Sequence, residues 1–236
     1  MIRILLCGEG SNDVGGAWPP GSGTSEGWLQ PIVRRILGKK VAFGTRDRRS
    51  LLSLPRGKGK YTRRPKGHGQ KSLAARMAAA EEGFDAVIFM ADADSNDANV
   101  WKQHKSEIEQ GFLALESNLP SIACVPLSMS ECWLLSSASA WRALGLGDVG
   151  DLPKRPETIW GKRNNPKADH PHNKFRRVAE KAQLPDNTET RVLIAERTEL
   201  AELSAKCTIS FAPFSAEVSL LRSLATNCDC GEGCCG

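Results

Sequence analysis

The chain has 236 residues, 40% of them hydrophobic and 25% charged, with a formal net charge of +5. That length supports one sizeable core, or a core with a small appendage, and the ordinary share of charge excludes wholesale disorder. No apolar run approaches the roughly 18 to 20 residues that span a bilayer, so no membrane partner is expected.

The opening MIRILLCGEG passes into a Gly-rich turn rather than a small-residue cleavage site, and reads as a first strand and not a signal peptide. GWLQPIVRRIL follows with Trp28, Leu29, Ile32, Val33 and Ile36 at helical spacing, and KKVAFG suits a second strand. QKSLAARMAAAEEG predicts a helix stopped by Gly83. FDAVIFMAD predicts a third strand, WKQHKSEIEQGFLALESN another helix and SIACVPL a fourth strand. Strands alternating with helices imply an α/β fold, a parallel sheet covered by helices on both faces. Beyond residue 137 the pattern is less regular: a Pro- and Asn-rich stretch over 150–173, then helices near 174–183 and 214–225. The expected organisation is an α/β metal-binding domain over 1–135, a mixed, mostly helical extension packed on it over 136–225, and a Cys-rich tail over 226–236.

Ligands of parallel sheets bind where the carboxyl ends of strands open into loops. Glu9 follows the first strand, Asp92 and Asp94 the third with Asp97 close behind, and Glu131 the fourth. Carboxylates converging from three strand ends repel one another unless a cation lies among them, which points to a hard divalent metal. Each residue also has an ordinary reading: Asp-x-Asp at a strand end caps and turns, and Glu9 between glycines suits a solvated turn. Glu131 lies between apolar ACVPL and CWLL, where an unpaired buried carboxylate is costly.

A second feature is basic. Arg46, Arg48, Arg49, Arg56, Lys58, Lys60, Arg63, Arg64, Lys66, Lys71 and Arg76 face the single acid Asp47 in their stretch. Such a block repels itself unless a polyanion or solvent neutralises it. Nucleic-acid contact through residues including Arg46, Arg48, Arg49, Arg63, Arg64, Lys66 and Lys71 weighs evenly against a solvated loop.

LLCGEGSND and FMADAD together resemble the TOPRIM domain shared by topoisomerases, DnaG-type primases and the OLD (overcoming lysogenisation defect) nucleases. PLSMSECWLL and SFAPFSAEVSLLRSL are similar to segments of small stand-alone TOPRIM proteins encoded beside ATPases in bacterial phage-defence loci. The resemblance implies Glu9 as metal ligand or general acid/base, Asp92 and Asp94 as the metal-binding pair, and Glu131 as a further ligand. It implies an Mg2+- or Mn2+-dependent nuclease acting on DNA or RNA, with a neighbouring ATPase as partner; oligomeric state is left open. In that chemistry two metal ions hold the scissile phosphate and activate water. A lysine completes the site, Lys174 first, with Lys167 and Lys162 in competition. The only tyrosine, Tyr61, lies in the basic block, which disfavours a covalent tyrosyl route. Two alternatives stand beside the nuclease: a non-catalytic TOPRIM module that binds nucleic acid or a partner, and a metal-dependent nucleotide-sugar glycosyltransferase.

The remaining special residues are weaker. His170 and His172 in DHPHNK read as a surface turn. Cys228, Cys230, Cys234 and Cys235 supply four thiols for zinc, but their spacing lacks the common Cys-x-x-Cys pair, so an oxidation-prone tail is preferred. Eight cysteines without a secretion signal favour reduced thiols and a cytoplasmic location.

Overall fold

The continuous apolar runs of the sequence become a parallel sheet in a computed structural model that describes residues 1–16, 26–38, 40–47, 51 and 65–225. Four strands, β1 (Ile2–Gly8), β2 (Val41–Asp47), β3 (Ala86–Met90) and β4 (Ser121–Cys124), align in the order β2-β1-β3-β4. All three pairings are parallel, with Ile4 opposite both Phe43 and Ala86, and Val87 opposite Ser121. Every residue of β3 is buried, because successive side chains point to opposite faces and both faces are covered.

The alternation divides the core in two. Leu5, Cys7, Val87, Phe89 and Ala123 face a cluster built with α3 (Gly67–Glu81) and α4 (Ala98–Leu113). These helices touch backbone to backbone: a Cβ on Gly111 would lie 2.1 Å from the Gly69 carbonyl oxygen, so only glycine fits. Buried Arg76 donates to the carbonyls of Phe112, Ser117 and Leu119, fastening the end of α4. This last arginine of the basic block is therefore structural.

The opposite face, with Ile4, Leu6, Ile88, Met90 and Ile122, packs on α2 (Leu29–Leu37) and the helical C-terminal region. That region contains α5 (Glu131–Leu134), α6 (Ala138–Ala143), α7 (Pro171–Lys181), α8 (Thr188–Arg197), α9 (Leu200–Lys206) and α10 (Phe211–Leu220); the short α1 (Ser11–Val14) lies after β1. Trp133 of α5 centres the join, its ring 5.9 Å from Trp28 and 5.0 Å from Phe211, its indole N–H donating to Ser210 Oγ at 2.8 Å. Among the described residues no helix is long and apolar enough to cross a membrane. Cys7, Cys124, Cys132 and Cys207 are buried free thiols; Cys228, Cys230, Cys234 and Cys235 lie outside the described residues.

Candidate functional site

Chain connections leave β1 in one direction toward β2 and return on its other side as β3, which makes the carboxyl ends of β1 and β3 the switch point of the sheet. Glu9, Asp92 and Asp94 stand there, with Glu131 beyond β4. Their carboxylates are not gathered around one point.

The turn after β3 separates the aspartates. Asp94 has φ +49, a left-handed conformation that Asp tolerates, and its side chain is exposed. Asp92 turns inward instead. Burial, followed by the charges of Asp13, Glu131 and Asp94, pushes its pKa well above the usual carboxylate range, against one hydrogen bond from the Ser130 backbone. Asp13 joins it, accepting from Trp28 Nε1 at 2.8 Å, and burial lifts its pKa to about 6.

Glu131, whose charge bears on both aspartates, has the opposite fate. Its Oε1 receives Arg191 Nη1 at 3.0 Å and lies 3.4 Å from His172 Nδ1. Burial alone would raise its pKa, but His172 and Arg191 bring it down to about 2. Arg191 also reaches Asp186 at 2.8 Å, with its guanidinium 4.5 Å from the centre of the Phe175 ring. Glu131 is thus balanced by an arginine and Asp92 has a raised proton affinity, two routes other than a metal that relieve like-charge repulsion.

The outer acids have separate partners. Glu9 pairs with Lys71 at 2.8 Å. Partial desolvation and then Glu9 raise the pKa of Asp94, while His104, Arg163 and His170 oppose them. Asp97 caps α4, its Oδ1 accepting from the Asn99 backbone at 2.8 Å. Lys174, one turn into α7, bears on Asp151, which Lys181 engages at 2.5 Å.

Among the described residues no group of three or more His, Cys, Asp or Glu is arranged to hold a metal ion. This corrects the expected Mg2+ or Mn2+ at Glu9, Asp92, Asp94, Asp97 and Glu131, and with it the metal-dependent nuclease and its hydrolase assignment. The same geometry withdraws the support that a glycosyltransferase would take from a metal on the aspartate pair.

His170 and His172 also differ from a surface turn. His170 is buried at the start of α7, its ring 5.5 Å from Trp160, and His172 faces Glu131. Of the basic block, Arg48, Arg49, Arg63 and Arg64, like Tyr61, lie outside the described residues. Arg46 forms an ion pair with Glu82, and Lys71 is held by Glu9. Lys66 is exposed just before α3, with no ion pair among the described residues.

The less obvious basic feature is the loop over 157–170. Ser128, just after β4, donates to the carbonyls of Glu157 at 2.8 Å and Ile159 at 3.2 Å, while its own N–H binds the Ser95 carbonyl in the turn after β3. The loop is thereby fastened over the carboxyl edge of the sheet. Buried Asn173 holds it from beneath, donating to the carbonyls of Arg163 at 3.0 Å and Asn165 at 2.8 Å, and Arg177 binds the carbonyls of Pro166 and Ala168. Lys162, Arg163 and Lys167 project from it exposed, without an acid within 4 Å among the described residues. A Lys-Arg pair after Trp160-Gly161 in a Pro/Asn-rich stretch was the available sequence signal; the fastening by Ser128 and Asn173 has none.

Comparison with known proteins finds no matching family model, no matching curated protein and no matching solved structure.

Proposed function

We propose that this chain is a nucleic-acid-binding module on a TOPRIM-like scaffold, taking up phosphates at the carboxyl edge of its sheet without a metal. The observation that carries the reading is the fastened loop with Lys162, Arg163 and Lys167 exposed and unpaired among the described residues. A cation without a contact ion pair on an ordered backbone presents its charge to an incoming polyanion. Arg163 bears on Asp94 and Lys71 on Glu9 at the switch point, so the loop and the described end of the basic block border the same edge. The resemblance adds an ATPase as the protein partner.

Titration of labelled DNA and RNA at several salt concentrations tests this. Four contacts, from the loop and Lys66, give a log–log salt slope of about −3. Binding that ignores salt, or no binding to either nucleic acid, rejects the proposal.

A further inference from the structure

Trp160 separates from the other described tryptophans by its exposure. Trp28, Trp133 and Trp141 are buried in the core and Trp101 is half-buried, whereas Trp160 is 38% exposed at the head of the basic loop. Its indole is not loose: one side lies against the His170 ring, with centroids 5.5 Å apart and planes inclined by 37°. His170 is itself 5% exposed and immediately precedes α7, so the indole rests on a backed support. The next residue reinforces the position. A Cβ on Gly161 would stand 3.1 Å from the Ala168 Cβ and from the His170 backbone nitrogen, so the two limbs of the loop close on each other directly after the ring. Lys162 and Arg163 follow at once, with their carbonyls turned inward to Asn173 at 3.4 and 3.0 Å.

An aromatic ring held on one side and open to solvent, next to exposed cations on a held backbone, is the arrangement that receives an unpaired base while its flanking phosphates meet the charges. A duplex keeps its base faces stacked internally and has none to offer. We infer that the loop selects single-stranded nucleic acid, with one base stacking on Trp160 and the adjoining phosphates on Lys162 and Arg163. This rests on the nucleic-acid reading above and specifies the strand type that it takes.

The test is a titration of fluorescein-labelled oligo(dT) and oligo(U) of about 16 nucleotides, beside a DNA duplex of equal length, with the wild-type chain, Trp160→Leu and Trp160→Phe. Wild type binds at least one single strand more tightly than duplex. Trp160→Leu keeps apolar packing on His170 but removes the ring, so single-strand affinity falls roughly tenfold while duplex affinity is unchanged. Trp160→Phe retains most of the single-strand affinity. Indole emission read as the difference between wild type and Trp160→Phe is quenched on adding single strand, which decides the matter even if Trp160→Leu melts early. Equal affinity for single strand and duplex, or absent quenching, overturns the inference and leaves the nucleic-acid reading standing. No binding of any of the three probes overturns both.

Discussion

Two charged regions at the same edge of the sheet are settled in opposite ways. Inside, Glu131 is balanced by Arg191, and burial raises the proton affinity of Asp13 and Asp92. Outside, Lys162, Arg163 and Lys167 stand on a fastened loop with no acid within 4 Å among the described residues. Charge that the fold has already balanced serves the fold; charge held in place and left unbalanced is available to a partner. The acids attract attention in the sequence, yet by this criterion the cations are the proposed site.

The largest expected effect lies inside. Arg191→Leu leaves Glu131 buried beside the other acids without its cation, and should lower stability by about 3 to 5 kcal/mol. For a chain of this size that is a fall in melting temperature on the order of 10 °C. The double change Arg191→Leu with Glu131→Leu should recover most of it. If the single change melts like wild type, Glu131 is not balanced by Arg191 and the contrast between the regions fails.

The outer cations should behave conversely. Changing Lys162, Arg163 and Lys167 together to Ala should leave stability within about 0.5 kcal/mol, because nothing buried depends on them. Nucleic-acid affinity in low salt should drop by roughly ten- to a hundredfold and the salt slope should flatten by about 2. Loss of stability without loss of binding would reverse the assignment of the two regions.

A smaller effect comes from pH. Asp13 has its folded pKa raised from 3.8 to about 6, so its contribution to stability is fully present below about 4 and lost as pH rises through 6. Asp92 is shifted in the same direction. Glu131 is depressed from 4.5 to about 2; its contribution is present above 4.5 and lost as pH falls through 2. The melting temperature should therefore rise from pH 7 to about 5 and fall again in stronger acid. Asp13→Asn keeps the acceptor for Trp28 and should add about 1 to 2 kcal/mol at pH 7 while flattening the rise. A melting temperature that climbs steadily from pH 5 to 7 would show these acids to be ionised without strain.

Much of the sheet is legible in the sequence because strands buried on both faces print as unbroken apolar runs, as in Ala86–Met90. Helix α8 is not, since its inward face includes Thr190 and Arg191 and so lacks an apolar stripe. The acidic site was legible as a set of strand-end residues and illegible as geometry. Its division depends on one positive φ at Asp94 and on an arginine 60 residues from Glu131, neither of which spacing encodes. The cations of the loop were visible as residues, Lys162 and Lys167 among them. Their significance comes from hydrogen bonds by Ser128 and Asn173 that only the folded chain brings together.

The central claim, that the edge binds nucleic acid through fixed cations and not through a metal held by its carboxylates, is tested most directly by one paired titration. Labelled oligo(dT) is bound by the wild-type chain in Mg2+ and again in excess chelator at matched ionic strength. The account predicts the same affinity in both, with the strand intact throughout. Binding that disappears on chelation, or a strand cut only when Mg2+ is present, would contradict it.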